Sequence, residues 1–214
     1  AYSSLYSYPR FTWQTVIPDQ RRISKIDLSD DYLQAIRLYA SCADELKSSE
    51  LYRNDLIEFA SYYVAAKAEN FYKQALKDDS ENRVLAAQRN LQQTVDLLMD
   101  VDKLLASHPL YRLEEWVELA RNSGTTLQEK DAYEANAKRL ITSWGGIQED
   151  YAARFWSGLI KDYYIPRIQL YFTKDRNKIR EWEEQWITSP WSNSTTQFDD
   201  PVKAALNLIE KTNK

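Results

Sequence analysis

Residues 133–146 read Tyr-Glu-Ala-Asn-Ala-Lys-Arg-Leu-Ile-Thr-Ser-Trp-Gly-Gly, and residues 150–167 read Asp-Tyr-Ala-Ala-Arg-Phe-Trp-Ser-Gly-Leu-Ile-Lys-Asp-Tyr-Tyr-Ile-Pro-Arg. Helix-patterned segments rich in Tyr and Trp flank a hinge at Gly145 and Gly146, two of the chain's four glycines. The second segment is expected to run as a helix from Glu149 to Phe172. Pro166 inside it predicts a kink, because proline deletes a backbone donor and crowds the preceding turn. Nowhere does the periodicity favour strands, and the fold class is all-α.

Working outward, residues 1–28 carry Pro9 and Pro18 and read as an extended lead-in. Ser29 is a plausible N-cap for a helix with Leu33, Ile36, Leu38 and Ala40 on its apolar face. A second helix from Ser49 to Lys77 keeps three-and-four spacing through Leu51, Leu56, Phe59, Tyr63, Ala66 and Tyr72. Asp78-Asp79-Ser80 is expected to break it and cap the third, Glu81 to Ser107. That helix sets Val84, Gln88, Leu91, Val95, Leu98, Asp102 and Leu105 on one near-heptad line, whose polar members indicate a bundle helix instead of a coiled coil. Pro109 opens a fourth helix through Leu113, Trp116, Val117 and Ala120, stopped near Ser123-Gly124. Thr126 with Glu129 forms a capping-box pattern for the fifth. Beyond Thr173, the charged run Lys174 to Glu184 reads as a solvated helix face. Trp182, Trp186 and Trp191 follow, then a loop at Ser192 to Asp200 and an amphipathic helix over Val202 to Glu210. The expected architecture is an irregular bundle of about seven or eight helices over residues 29–214.

The totals exclude several chemistries. A formal net charge of −4 gives no support for nucleic-acid binding, and the apolar runs are too short for a membrane span. Cys42 is the only cysteine and reads as a buried thiol on a helix. His108 is the only histidine, which removes Ser-His-Asp and Cys-His catalysis and any His-rich metal site from within the chain. Its place before Pro109 suits a structural or capping role. With four glycines there is no phosphate-cradling loop, and no cofactor is expected. Glu114-Glu115 and Glu183-Glu184 are neighbours that diverge by about 100° on a helix. Glu114 and Glu118 share a face, as surface acids commonly do, so no catalytic residue is assigned. Aromatic residues make up 13% of the chain, with seven Trp. Such rings either fill an irregular core or offer their faces to sugar C–H groups. Trp144 is the candidate for the second role, since a ring at a helix end before two glycines can project from the bundle. Asn136 and Tyr133 lie on nearly the same face and are the further substrate-binding candidates. Asn193-Ser194-Thr195 is a glycosylation sequon in a loop.

These segments together resemble the C-terminal helical domain of the α-N-acetylglucosaminidases, a family of glycoside hydrolases. The resemblance rests on the quoted run, on Tyr52-Arg53-Asn54-Asp55-Leu56, on Asp102 with Leu105-Ala106-Ser107, and on Trp116 with Ala120-Arg121. It covers residues 13 to 174, with Lys138 where an Arg is common and Ala153-Arg154-Phe155 departing from the usual Asn-Lys-Gln. It implies a retaining exo-hydrolase that removes terminal α-linked N-acetylglucosamine, with both catalytic glutamates in a barrel domain. The implied partners are that catalytic barrel in the same polypeptide and the glycan, with Trp144, Asn136 and Tyr133 in the pocket wall. The implied setting is exported: periplasmic, cell-surface or secreted, and lysosomal in a eukaryote. The chain then reads as a fragment, inactive when isolated. The rival reading is a free-standing helical module that binds a protein or polysaccharide. A fragment is expected to expose a large apolar patch involving its aromatic lead-in, whereas a free-standing module keeps its aromatics covered.

Overall fold

The computed structural model describes residues 11–14, 30–144, 150, 152–173, 175–192 and 196–212. Its α-helices are α1 (Asp30–Ala40), α2 (Ala43–Leu46), α3 (Glu50–Ser80), α4 (Val84–Leu105), α5 (Leu113–Asn122), α6 (Leu127–Leu140), α7 (Ile165–Tyr171), α8 (Arg176–Thr188) and α9 (Pro201–Lys211). A 3-10 turn at Thr12–Gln14 and a π-helical turn at Ile160–Tyr164 complete the order. The fold is all-α, as expected. Among the described residues the only strand-like pairing is an isolated bridge between Arg112 and Ser157.

The long helix α3 is the spine, buried at Leu56, Ala60, Tyr63, Val64, Ala68 and Tyr72 with α1, α4, α9 and the 3-10 turn around it. A helix enclosed on most sides needs apolar or small residues all round, which explains its alanines. It starts one residue after the expected Ser49, whose hydroxyl caps it by accepting the Tyr52 N–H. Two expected core positions fall on the outer side instead: Leu51 is 70% exposed and Phe59 36%. Helix α3 also runs past Asp78. That carboxylate does not cap the next helix, but accepts bonds from Gln74 at 2.8 Å, Arg83 Nε at 3.0 Å and Asn90 at 2.7 Å. Helix α4 therefore starts at Val84 without a side-chain cap, and Val84 itself is exposed.

Other expectations shift for local reasons. Cys42 is exposed, not buried, because it lies in the turn between α1 and α2. Pro109 opens no helix. His108 is buried there, accepts the Leu110 N–H on Nδ1 at 3.1 Å, and α5 waits until Leu113. Residues 153–156 are irregular rather than helical. Ser157, directly after them, pairs with the 111–113 segment: its N–H donates to Tyr111 C=O at 2.8 Å and Leu113 N–H to its C=O at 3.0 Å. In place of a simple kink, the chain takes a π turn before Pro166, with the Ile165 N–H reaching the Ile160 carbonyl. A widened turn of this kind accommodates a missing proline donor. The capping box is present, with Glu129 N–H on Thr126 Oγ1 at 3.2 Å and Thr126 N–H on Glu129 at 3.0 Å. Gly124 makes the α5–α6 corner possible, since a Cβ there would lie 2.7 Å from the Lys130 backbone nitrogen. The charged run after Thr173 is not wholly solvated, because Ile179 and Glu183 are buried.

The lead-in also differs where it is described. Phe11 and Trp13 stack at 5.0 Å and are buried against Phe155 and Tyr164, so these aromatics belong to the core and not to an uncovered patch. Thr12 Oγ1 donates to Glu69 at 2.6 Å, tying the turn to α3. Leu38, Leu46 and Leu51 on α1, α2 and α3 are exposed, as are Leu85, Leu110, Leu119 and Leu127 elsewhere among the described residues. Ser29, Gly145, Gly146, Glu149, the sequon, and the expected boundary at residues 28 and 29 lie outside the described residues. Trp13→Ala is predicted to destabilise the fold by about 3–5 kcal/mol, the cost of emptying a large buried site. A urea-unfolding midpoint near the unsubstituted value would contradict that placement.

Candidate functional site

Helix α6 has one buried side and one open side. Its inward residues are Glu134, Ala137 and Lys138. Burial pushes the Lys138 ammonium down, against the pull of Glu134 at 3.2 Å. Lys138 Nζ donates to the carbonyls of Trp186 and Ser189, and Glu134 accepts from Arg121 at 2.6 Å and from the Trp191 backbone N–H. Trp116 Nε1 donates to Ala137 C=O at 2.9 Å. These bonds lock α6 to α5 and to the C-terminal end of α8, so the open side is held rigidly.

All three sequence candidates are exposed, two of them on that open side. Tyr133 is 43% exposed, Asn136 is exposed one turn later, and Trp144 is 37% exposed beyond the helix end. Tyr133 and Asn136 share a helix face by their three-residue spacing. Trp144 is presented from the turn after α6, with its N–H on Arg139 C=O at 2.9 Å and a positive φ of 49°. Arg139 is itself clamped by Glu184 through two bonds of 2.9 and 2.7 Å.

Behind this face lies a buried ionic cluster that sequence reasoning did not assign. Arg167 on α7 is 1% exposed and meets Asp150 at 2.9 Å and Glu183 at 3.2 Å. Its guanidinium lies 4.8 Å from the Tyr163 ring centroid and 5.6 Å from that of Tyr164. Tyr163 donates its hydroxyl to Glu183 at 2.8 Å. Burial alone would lower the Arg167 pKa, but Asp150, Tyr163 and Glu183 raise it well above the ordinary value, so its charge is permanent. The available signal was a lone arginine directly after Pro166 in an otherwise aromatic and aliphatic run.

Asp102 is a second buried acid. It occupies a core position on the α4 line and is 1% exposed. One oxygen accepts the Gly158 N–H at 2.8 Å and the Lys161 N–H at 3.1 Å, while the other meets only Ser157 Oγ at 3.4 Å. It therefore caps the π turn, and Gly158 there has a φ of 82°. Burial raises its pKa to about 6 despite these donors. A cleft of 180 Å³ between Ala106, Arg112, Glu114, Trp191 and Gln197 includes none of the three exposed candidates. Among the described residues no cluster of His, Cys, Asp and Glu could hold a metal ion, and no helix is long and apolar enough to cross a membrane.

Comparison with known proteins extends past the resemblance read from sequence. The family model of the alpha-N-acetylglucosaminidase (NAGLU) C-terminal domain matches residues 7–211, which includes the tail beyond Thr173. Human alpha-N-acetylglucosaminidase is 31% identical over 144 residues, covering 66% of this chain and 19% of the relative. A family 89 glycoside hydrolase from Clostridium perfringens in complex with PUGNAc superposes with a TM-score of 0.80 at 19% identity, over 94% of this chain and 26% of that one. A second structure from the same organism, in complex with its substrate GlcNAc-alpha-1,4-galactose, gives 0.75 at 20% identity, over 88% and 24%. The chain thus spans a minor part of the proteins it matches.

Asp102 supports a pH prediction. Its folded pKa of about 6 lies above its ordinary 3.8, so the folded state binds this proton more tightly than the unfolded chain. The associated stability is present below pH 3.8 and is lost as pH rises through 6. The stability difference between the unsubstituted chain and Asp102→Asn should move by about 2 kcal/mol in favour of Asp102 between pH 7 and pH 4. Denaturant titrations giving a flat difference across that range would show that Asp102 does not titrate there.

Proposed function

The chain belongs to the alpha-N-acetylglucosaminidase C-terminal domain family, and on that premise we propose that it packs on the catalytic barrel of its own polypeptide. There it helps wall the sugar pocket of an exo-acting, retaining enzyme for terminal α-linked N-acetylglucosamine. The observation that carries this reading is the family match together with an exposed Trp144, held at the end of α6 by its N–H on Arg139 C=O. Retaining glycoside hydrolysis uses two carboxylates about 5 Å apart on either side of the scissile bond. In this reading both come from the barrel, and the helical domain contributes position and water exclusion. Trp144 offers an apolar ring face to the sugar, while the Asn136 amide can donate to and accept from a hydroxyl. Leu38, Leu46 and Leu51 are the kind of exposed apolar surface that a neighbouring domain covers. The setting is an exported one: periplasmic, cell-surface or secreted, or lysosomal in a eukaryote.

Hydrolysis of a chromogenic α-N-acetylglucosaminide tests the proposal, with this chain alone and joined to its catalytic barrel. Turnover is expected only in the joined protein. There Trp144→Ala should lower kcat/KM by about tenfold to a hundredfold, or roughly 1.4–2.7 kcal/mol of transition-state stabilisation. Turnover by the isolated chain would place catalytic carboxylates within it and overturn the proposal.

A further inference from the structure

Trp144 and Asp150 are the described residues on either side of the segment that follows α6, and both hold left-handed backbone, with φ of 49° and 59°. Their amides return to the same helix end: Trp144 N–H to Arg139 C=O at 2.9 Å, and Asp150 N–H to Thr142 C=O at 2.8 Å. Left-handed backbone is disfavoured for any residue with a Cβ and persists only where the surroundings over-determine it. At Asp150 the surroundings are the Arg167 guanidinium, 2.9 Å away with both side chains buried. We infer that the Asp150–Arg167 pair, braced by Glu183, is a positioning device that fixes where Trp144 stands and thereby shapes the sugar-facing wall. The second half of this inference rests on the pocket reading of Trp144.

Stability alone is a poor reason for such a cluster. Buried ion pairs can be replaced by packed apolar groups with little loss, and sometimes with a gain. What the charges add is uniqueness. An arginine held over two tyrosine rings, with Asp150 and Glu183 as its ionic partners, admits few alternative positions for Asp150. Thr142, buried, receives the Asp150 amide and donates its own hydroxyl to Lys138 C=O at 2.7 Å, carrying the constraint into α6. Trp144 is mounted on that same helix end.

A double-mutant cycle in the protein joined to its barrel tests this, using Asp150→Asn with Trp144→Ala and kcat/KM on an aryl α-N-acetylglucosaminide. Asp150→Asn keeps the side-chain shape and leaves Arg167 its second partner, Glu183. It is expected to lower kcat/KM about tenfold, and to have an effect of under about twofold once Trp144 is alanine. Equal losses in both backgrounds would overturn the inference. If Asp150→Asn does not fold, Arg167→Lys, which keeps the charge and loses the planar fork, is put through the same cycle with the same two outcomes. If Trp144→Ala alone leaves kcat/KM unchanged, the pocket reading fails, and amide hydrogen exchange decides the positioning claim separately. Faster exchange confined to residues 141–150 in Asp150→Asn upholds it, and an unchanged pattern overturns it.

Discussion

A permanently charged arginine enclosed by the fold sets a constraint that several elements must meet together. Arg167 is 1% exposed, and an isolated charge in that position would cost several kcal/mol even after local relaxation. The chain meets this with carboxylates from two separate places, Asp150 beyond α6 and Glu183 on α8, and with the rings of Tyr163 and Tyr164. Helix α8 would otherwise have little reason to turn an acid inward, since its neighbours Arg180, Glu181 and Glu184 all remain in solvent. Removing any one partner leaves a buried charge poorly matched, so the three segments are coupled in a way apolar packing alone would not impose.

The spine and this ionic cluster divide the work. Helix α3 supplies the apolar centre against which α1, α4, α9 and the 3-10 turn pack, and its burial is tolerant of small shifts. The cluster is intolerant, because hydrogen-bond and ion-pair distances allow little displacement. Helices α5 and α6 are joined to the spine side through the Tyr111–Ser157–Leu113 backbone bonds, and to the cluster side through Lys138 and Trp186. The open face of α6 is therefore fixed from both directions.

Much of this was legible in sequence where a side chain marks an element's end. The helix start near Ser49, the Thr126–Glu129 box and the stop near Gly124 fall where the sequence puts them. The helices most amphipathic in pattern, such as α9 with Val202, Ala205, Leu208 and Ile209 inward, were equally clear. Residues 153–156 read as helix in sequence because a short run such as Ala-Arg-Phe-Trp, with only Ala153 and Phe155 buried, is too brief to set its own period. Phe155 there stacks at 5.2 Å on Tyr62, a residue far away in sequence, and Ser157, next along the chain, bonds to the 111–113 segment. Asp78 was misread for a related reason: its partners Arg83 and Asn90 lie beyond the turn it was expected to start.

The exposed candidates were legible while their supports were not, and the difference is physical. Trp144 stands out because an aromatic at a helix end has no apolar period to absorb it. Asp150, Arg167 and Glu183 are ordinary charged residues until tertiary contact makes them costly, and pairing across such sequence distances leaves no local spacing to read. Asp102 lies between these cases. A carboxylate on a mostly apolar helix line must either face water or find donors, and the backbone N–H groups of Gly158 and Lys161 supply them. Since those donors open the π turn that carries Tyr163, Tyr164 and then Arg167, the polar residue on the α4 line also sets where the ionic cluster is built. One buried acid thus positions the helix whose arginine another buried acid must neutralise.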